Sequence, residues 1–196
     1  MEQDVKKGLI IFARKPELGK VKTRLAATIG EVKALNIYQK LLIHTRSVAK
    51  AATCQGFAFL TEEDENDFWK GFSCQLQTGE SLGDRMNEAF SLLFSKDYDY
   101  CIIIGSDCPG LTKEIINNSF EHLKTNDIVI GAAADGGYYL LGMKKLHSLL
   151  FKNKKWSTEN VFTQTLIDIK QRGLTYYTMP VLNDLDEEKD IPEEWL

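Results

Sequence analysis

The sequence predicts a three-layer α/β domain built on a mostly parallel sheet, and three observations carry that expectation. Gly8–Ala13, Cys101–Ile104 and Asp127–Ala133 are almost unbroken apolar runs, the pattern of strands buried on both faces of a sheet. Segments with helical apolar periodicity separate these runs, as in chains that alternate strand and helix. Charged or glycine-bearing loops follow several of the runs, and in open α/β sheets ligands bind at the carboxyl ends of the strands.

Taken in order, Gly8–Ala13 is the first strand, and a basic loop follows it. A long helix is expected from about Glu31 to Ala52, with Leu35, Tyr38, Leu41, Leu42, Thr45, Val48 and Ala49 on its apolar face. Phe57–Leu60 is a second strand and Cys74–Gln77 a short third one. Ser81 is placed as the N-cap of a helix reaching Phe94, with Asp84 suited to the positive first turn. The strand Cys101–Ile104 runs into Gly105-Ser106-Asp107-Cys108-Pro109-Gly110, where the Pro-Gly pair ends it, and a helix covers Lys113–Lys124. Asp127–Ala133 and Tyr138–Met143 read as strands that pair antiparallel across the turn Asp135-Gly136-Gly137. Trp156 before Ser157 has the form of a hydrophobic staple with Val161, opening a helix from Thr158 to about Gln171. Leu174–Met179 forms a late strand ended by Pro180, and a short helix closes the chain at Pro192–Leu196.

Composition narrows the function classes. With 196 residues, 43% hydrophobic and 27% charged, the chain fits one globular domain spanning residues 1–196. No apolar run approaches the ~20 residues needed to span a bilayer, and Met1–Lys7 lacks the anatomy of a signal peptide, so a cytoplasmic location is expected. The four cysteines include no Cys-x-x-Cys pair and no histidine at zinc-finger spacing. Cys54, Cys74 and Cys101 are expected as small core residues, with packing preferred over reactivity for Cys108. A net charge of -4 disfavours a nucleic-acid partner. Against that acidic background, Arg14, Lys15, Lys20, Lys22 and Arg24 gather beside a single anion, Glu17, which suggests a small anionic ligand.

Asp107 is placed at the mouth of a cleft on a rigid strand end, where a carboxylate suits a divalent cation and, through it, a phosphorylated substrate; a plain Asx turn explains the same letters. The basic loop follows the first strand, where nucleotide phosphates bind. Its cations can neutralise a diphosphate, Arg24 can grip two oxygens at once, and Gly19 lets backbone approach a ligand. It is not a Walker A loop, because Arg14 and Val21 stand where Gly and Ser or Thr would be needed. Gly136 and Gly137 allow a substrate close beside Asp135, although a tight hairpin needs the same residues. Tyr138 and Tyr139 point to opposite faces, one available to stack on a ring and the other to the core. Asp184 and Asp186 alternate, so an extended segment turns both to one side, where they could share a cation or simply form acidic surface. The Gly79–Arg85 stretch is a helix start, close to a ligand or a simple cap. The three histidines are read as structural.

Four motifs in order resemble the DUF2064 group: Phe12-Ala13-Arg14-Lys15-Pro16 with Gly19-Lys20-Val21-Lys22-Thr23-Arg24-Leu25, then Gly105-Ser106-Asp107-Cys108-Pro109, then Asp135-Gly136-Gly137-Tyr138-Tyr139-Leu140-Leu141-Gly142, and Trp156-Ser157-Thr158 before a helix. Members of that group are provisionally described as nucleotide-diphospho-sugar transferases, some as arsenosugar-biosynthesis glycosyltransferases. The resemblance implies a GT-A, or nucleotide-diphospho-sugar transferase, fold. The opening loop is also similar to that of the phospholactate and phosphoenolpyruvate guanylyltransferases, in which a Gly- and Lys-rich loop holds the nucleotide and separated aspartates hold a divalent metal. Asp107 takes the place of the GT-A Asp-x-Asp motif. Position 109 is Pro rather than Asp, so a second ligand must come from elsewhere, with Asp184 or Asp186 as the candidates.

These readings combine into a metal-assisted glycosyltransferase that takes a nucleotide-diphosphate sugar and a small-molecule acceptor. Arg14, Lys15, Gly19, Lys20, Lys22 and Arg24 bind the nucleotide phosphates. Asp107 with Asp184 or Asp186 holds Mg²⁺ or Mn²⁺. Asp135 is the catalytic candidate, and Gly136, Gly137 and Tyr138 contact substrate. Two alternatives stand beside it: a nucleotidyltransferase that joins a nucleoside triphosphate to a phosphorylated small molecule and releases pyrophosphate, and a non-catalytic nucleotide-sugar-binding module.

Overall fold

The computed structural model describes residues 5–195. Its elements run β1 (Lys7–Ala13), α1 (Thr23–Ile29), α2 (Glu31–Ala51), β2 (Gln55–Leu60), β3 (Ser73–Leu76), α3 (Leu82–Phe94), β4 (Tyr100–Ile104), α4 (Lys113–Leu123), β5 (Ile128–Ala133), β6 (Tyr138–Met143), α5 (Val161–Gln171) and β7 (Tyr176–Leu182), with 3-10 turns at Ser148–Phe151, Glu188–Asp190 and Glu193–Trp195. The strands form one sheet in the order β3-β2-β1-β4-β6-β5-β7. Strand β6 alone is antiparallel to its neighbours among the described residues.

Alternation along the strands builds two cores. Leu9, Ile11 and Ala13 of β1 and Ile102 and Ile104 of β4 face one side, where Leu25 of α1, Leu41 of α2 and Phe120 of α4 cover them. Ile10, Cys101 and Ile103 face the other side, against Phe90 of α3 and Ile169 of α5. Both faces of the central strands are therefore dry, which explains why their sequences carry no polar alternation. No helix among the described residues is long and apolar enough to cross a membrane.

Helix α3 begins as expected, with Ser81 and Asp84 in a reciprocal capping box. Several local expectations fail for physical reasons. The basic loop is shorter than read, because Thr23–Ile29 winds into α1 and buries Leu25. Trp156 is not a staple: the N-cap of α5 is Asn160, and Ser157 adopts φ 61° inside a turn in which Thr158 Oγ1 donates to the Lys155 carbonyl. Trp156 packs instead against the second core, over Gly83. Pro180 lies within β7 rather than ending it, which a sheet edge tolerates, and the pairing with β5 shifts register there. Cys74 is exposed, since β3 is the other edge, and Cys54, just before β2, is half-buried; Cys101 and Cys108 are buried. The closing helix is a 3-10 turn, Glu193–Trp195. Leu196 and the N-terminal residues 1–4, on which the signal-peptide reading partly rests, lie outside the described residues.

The topology brings the candidate residues together. Strands β1, β4, β5 and β7 all point the same way, because β6 reverses direction between β4 and β5. The loop carrying Arg14 to Arg24, Asp107, Asp135 and the Asp184–Asp186 segment each follow one of these four strands, so all emerge at one edge of the sheet.

Candidate functional site

Two backbone contacts fix the floor of this edge. The Leu185 N–H donates to the Asp107 carbonyl at 2.8 Å, and the Leu185 side chain is fully buried. Asp184 and Asp186 flank this plug in sequence. On the β1 side, the Tyr38 hydroxyl of α2 accepts from the Arg14 N–H at 3.0 Å and donates to the Arg14 carbonyl at 3.1 Å. Ser106 Oγ, buried beside Asp107, lies 3.4 Å from the same hydroxyl. One tyrosine thus ties the start of the basic loop to the end of β4. Sequence reasoning placed Tyr38 only on the apolar face of its helix; nothing in a Leu-rich stripe marks a tyrosine whose hydroxyl serves a loop.

Lys22 is the centre of the arrangement. Its side chain is only 6% exposed, and its Nζ stands 2.6 Å from Asp107 Oδ1 and 3.4 Å from Asp186 Oδ1. Arg24, in the first turn of α1, donates to the other oxygen of Asp186 at 3.3 Å. The Lys22 backbone is left-handed, φ 48° and ψ 45°, at an N-cap with no side-chain hydrogen bond. Three segments distant in sequence therefore meet through two cations and two carboxylates.

Asp184 is the third carboxylate. Burial pushes its pKa up to about 7, and the charges of Asp107, Asp135 and Asp186 add to that shift while Lys22 opposes it. Asp135 sits in the β5–β6 turn, where its Oδ1 accepts from the Gly137 N–H at 2.9 Å. Gly136 has φ +90°, and a Cβ there would meet the Glu159 carbonyl at 2.0 Å, so only glycine fits against the start of α5. Cys108 is packed: its thiol donates to the Asn183 carbonyl at 3.4 Å, and burial pushes its pKa up to about 12.

Other candidates are not brought to this centre. Lys15 turns to the β2 end, 3.1 Å from Glu62, whose hydrogen bond and charge raise its pKa. Lys20 pairs with Glu17 at 2.8 Å on the surface. Gly19, φ +73°, lies in the turn between them and approaches Glu31. Tyr138 packs into the second core with its hydroxyl toward Met86 Sδ at 3.6 Å, and Tyr139 donates to the Pro180 carbonyl at 3.0 Å. Tyr138 thus departs from its expected substrate role: inward side chains of β6 meet α3, not the loop end. The Gly79–Arg85 stretch serves as a cap.

The donor set is all carboxylate oxygen, the chemistry that suits Mg²⁺ or Mn²⁺. Among the described residues, no three such side chains are already grouped to hold an ion. Asp107, 47% exposed, and Asp184 are the residues that would hold it.

The sheet order and this loop-bearing edge define the class: a nucleotidyltransferase or nucleotide-diphospho-sugar transferase type of fold, here serving an enzyme-like transferase scaffold. Within that class the chain belongs to the DUF2064 family, described as an uncharacterized protein conserved in bacteria, whose pattern matches residues 37–158. The basic loop and the Asp184–Asp186 segment fall outside the matched span. A protein from Desulfovibrio desulfuricans G20, provisionally named a nucleotide-diphospho-sugar transferase, has a solved structure that superposes with a TM-score of 0.88 at 28% identity, covering 93% of this chain and 83% of that one. The 2-phospho-L-lactate guanylyltransferase of Methanocaldococcus fervens is 22% identical over 180 residues, 90% of this chain and 79% of that protein. The structure of Rv0371C from Mycobacterium tuberculosis H37Rv in complex with manganese shares the fold at a TM-score of 0.57 and 13% identity, covering 96% of each chain.

Proposed function

We propose that this protein is a nucleotide-dependent glycosyltransferase, moving a sugar from a nucleotide-diphosphate sugar to a hydroxyl-bearing small molecule. The observation that carries the proposal is the meeting of the β1 loop cations with Asp107, Asp184 and Asp186 at one sheet edge. Arg14 and Arg24, both exposed there, bind the diphosphate, with Arg24 able to exchange Asp186 for a phosphate oxygen. A divalent cation on Asp107 and Asp184 supplies charge neutralisation for the departing nucleoside diphosphate. Tyr38 and Ser106 keep the phosphate-binding loop in register with Asp107.

The acceptor side is acidic. The charge of Asp135 contributes to raising the Asp184 pKa, and an acceptor bearing a phosphate would be repelled there, whereas a neutral hydroxyl is not. A hydroxyl also needs a base, and we assign that role to Asp135, which is exposed in its turn. The likeness to the Desulfovibrio protein supports this reading.

A second reading, nucleotidyl transfer to a phosphorylated acceptor, is favoured by the guanylyltransferase relative. The products separate the two. Incubation with UDP-, GDP- and dTDP-sugars and a panel of hydroxyl acceptors should release free nucleoside diphosphate. Pyrophosphate from GTP, CTP or UTP with a phosphorylated acceptor would instead establish the second reading, and nucleotide binding without turnover of any kind would leave a binding module.

A further inference from the structure

Resting on the nucleotide reading above, we infer that Lys22 is the resident cation of the carboxylate cluster: its ammonium excludes a divalent ion until nucleotide phosphates draw it away. Asp107, one of the two residues that would hold the metal, is already engaged by an ammonium, and Asp186 faces the same ammonium. Lys22 Nζ lies 2.6 Å from Asp107 Oδ1 and 3.4 Å from Asp186 Oδ1, with the side chain almost wholly out of solvent. An ammonium and a dication a few ångströms apart repel with twice the energy of two unit charges, and partial burial weakens the screening. The two therefore compete for Asp107.

The surrounding charges make the arrangement unequal. Asp107, Asp184 and Asp186 are answered by Lys22 and Arg24, and Arg24 is 74% exposed and reaches only Asp186. Removing the ammonium therefore leaves a cluster with strong appetite for a cation. The release path is also local. A nucleotide's phosphates would offer Lys22 oxygens at least as anionic as a carboxylate, and its four-carbon stem can swing without moving β4 or Leu185. Once Lys22 turns to the phosphates, Asp107 is free for the metal. Metal and nucleotide then enter together, each strengthening the other as linkage requires. Lys22 acts here as a positioning residue as well as a phosphate ligand, and the metal dependence of the enzyme becomes a property of its nucleotide complex.

The test is calorimetric titration of Mn²⁺ into the full chain without nucleotide, for the wild type, Lys22→Met and Lys22→Arg. The wild type should bind Mn²⁺ weakly. Lys22→Met should bind at least about tenfold more tightly, a coupling of ordinary allosteric size, while Lys22→Arg, which restores a fixed cation, should stay as weak as the wild type. Thermal unfolding of each variant confirms that the fold is retained. Equal Mn²⁺ affinity in wild type and Lys22→Met would overturn the inference, and so would tight binding by Lys22→Arg. UDP and GDP titrated into the metal-free wild type keep the two claims apart. Nucleotide binding with no gain in Lys22→Met removes only the role of Lys22. A gain in Lys22→Met with no nucleotide binding by the wild type removes the nucleotide reading, and the phosphate-driven release with it.

Discussion

Two buried lysines in this protein make opposite use of the same kind of partner, an aspartate. Lys154, with a side chain 1% exposed, binds Asp168 of α5, and Arg172 stands 3.6 Å from the same carboxylate. There two cations share one anion, and the pair fastens the segment after the Ser148–Phe151 turn to a helix. Lys22, 6% exposed, faces Asp107 and Asp186, with Asp184 close by. There the anions are in excess, the backbone is left-handed, and every participant sits at the carboxyl edge of the sheet. The first site carries a surplus of positive charge and ties two segments of the fold together; the second gathers three carboxylates around two cations. Buried ion pairs alone say little about function, since either kind costs desolvation to form. The sign of the surplus and its place in the fold separate them.

Substitutions at the two sites should therefore fail in different assays. Asp107→Asn should lower release of nucleoside diphosphate from sugar nucleotides by at least about 10²-fold, the loss of roughly 3 kcal/mol of leaving-group stabilisation, with little change in unfolding midpoint. Lys154→Met should do the reverse. Breaking its pair, discounted for the partial exposure of Asp168, should cost about 1–3 kcal/mol in urea unfolding, with turnover per folded molecule unchanged. If Lys154→Met abolished turnover and kept stability, the contrast between the sites would be wrong.

The pH response sharpens the same comparison. Because folding raises the Asp184 pKa to about 7, the stability linked to it is full below its unfolded value near 3.8 and is lost as pH rises through 7. Asp184→Asn should remove that decline. In EDTA, the variant should gain on the wild type between about pH 4 and pH 7 in denaturant titrations; a difference independent of pH would count against the shift. The smallest effect is expected at Tyr38. Tyr38→Phe removes one hydroxyl and its two hydrogen bonds to Arg14, worth about 0.5–1.5 kcal/mol each. It should raise KM for the nucleotide severalfold while leaving kcat close to wild type. An unchanged KM would reduce Tyr38 to a core residue.

Much of the fold was legible because its central strands are buried on both faces and so announce themselves as apolar runs. The sheet edges were harder. At β7, a proline read as a strand end is accommodated, since an edge strand has no second ladder to satisfy. Cys74 looked like core because nothing in four residues says that β3 lies outermost. At the site, strand ends and spacing singled out Asp107, Asp184 and Asp186, and the fold brings them to one sheet edge. The basic loop was legible as a cluster of charge, but not in its division of labour. Lys20 is drawn off by Glu17, three residues before it, whereas Lys15 reaches Glu62 and Lys22 turns inward to Asp107, partners that depend on tertiary placement. Tyr138 misled because the turn before it carries site-like residues, while its own side chain follows the strand pleat into the core.

The most direct measurement is calorimetric titration of UDP and GDP into the protein with and without Mn²⁺, for the wild type and Asp107→Asn. The account requires that one of these nucleotides bind, that Mn²⁺ strengthen its binding, and that Asp107→Asn remove the strengthening. Binding of equal affinity in all four conditions, or no binding of either nucleotide, would contradict it.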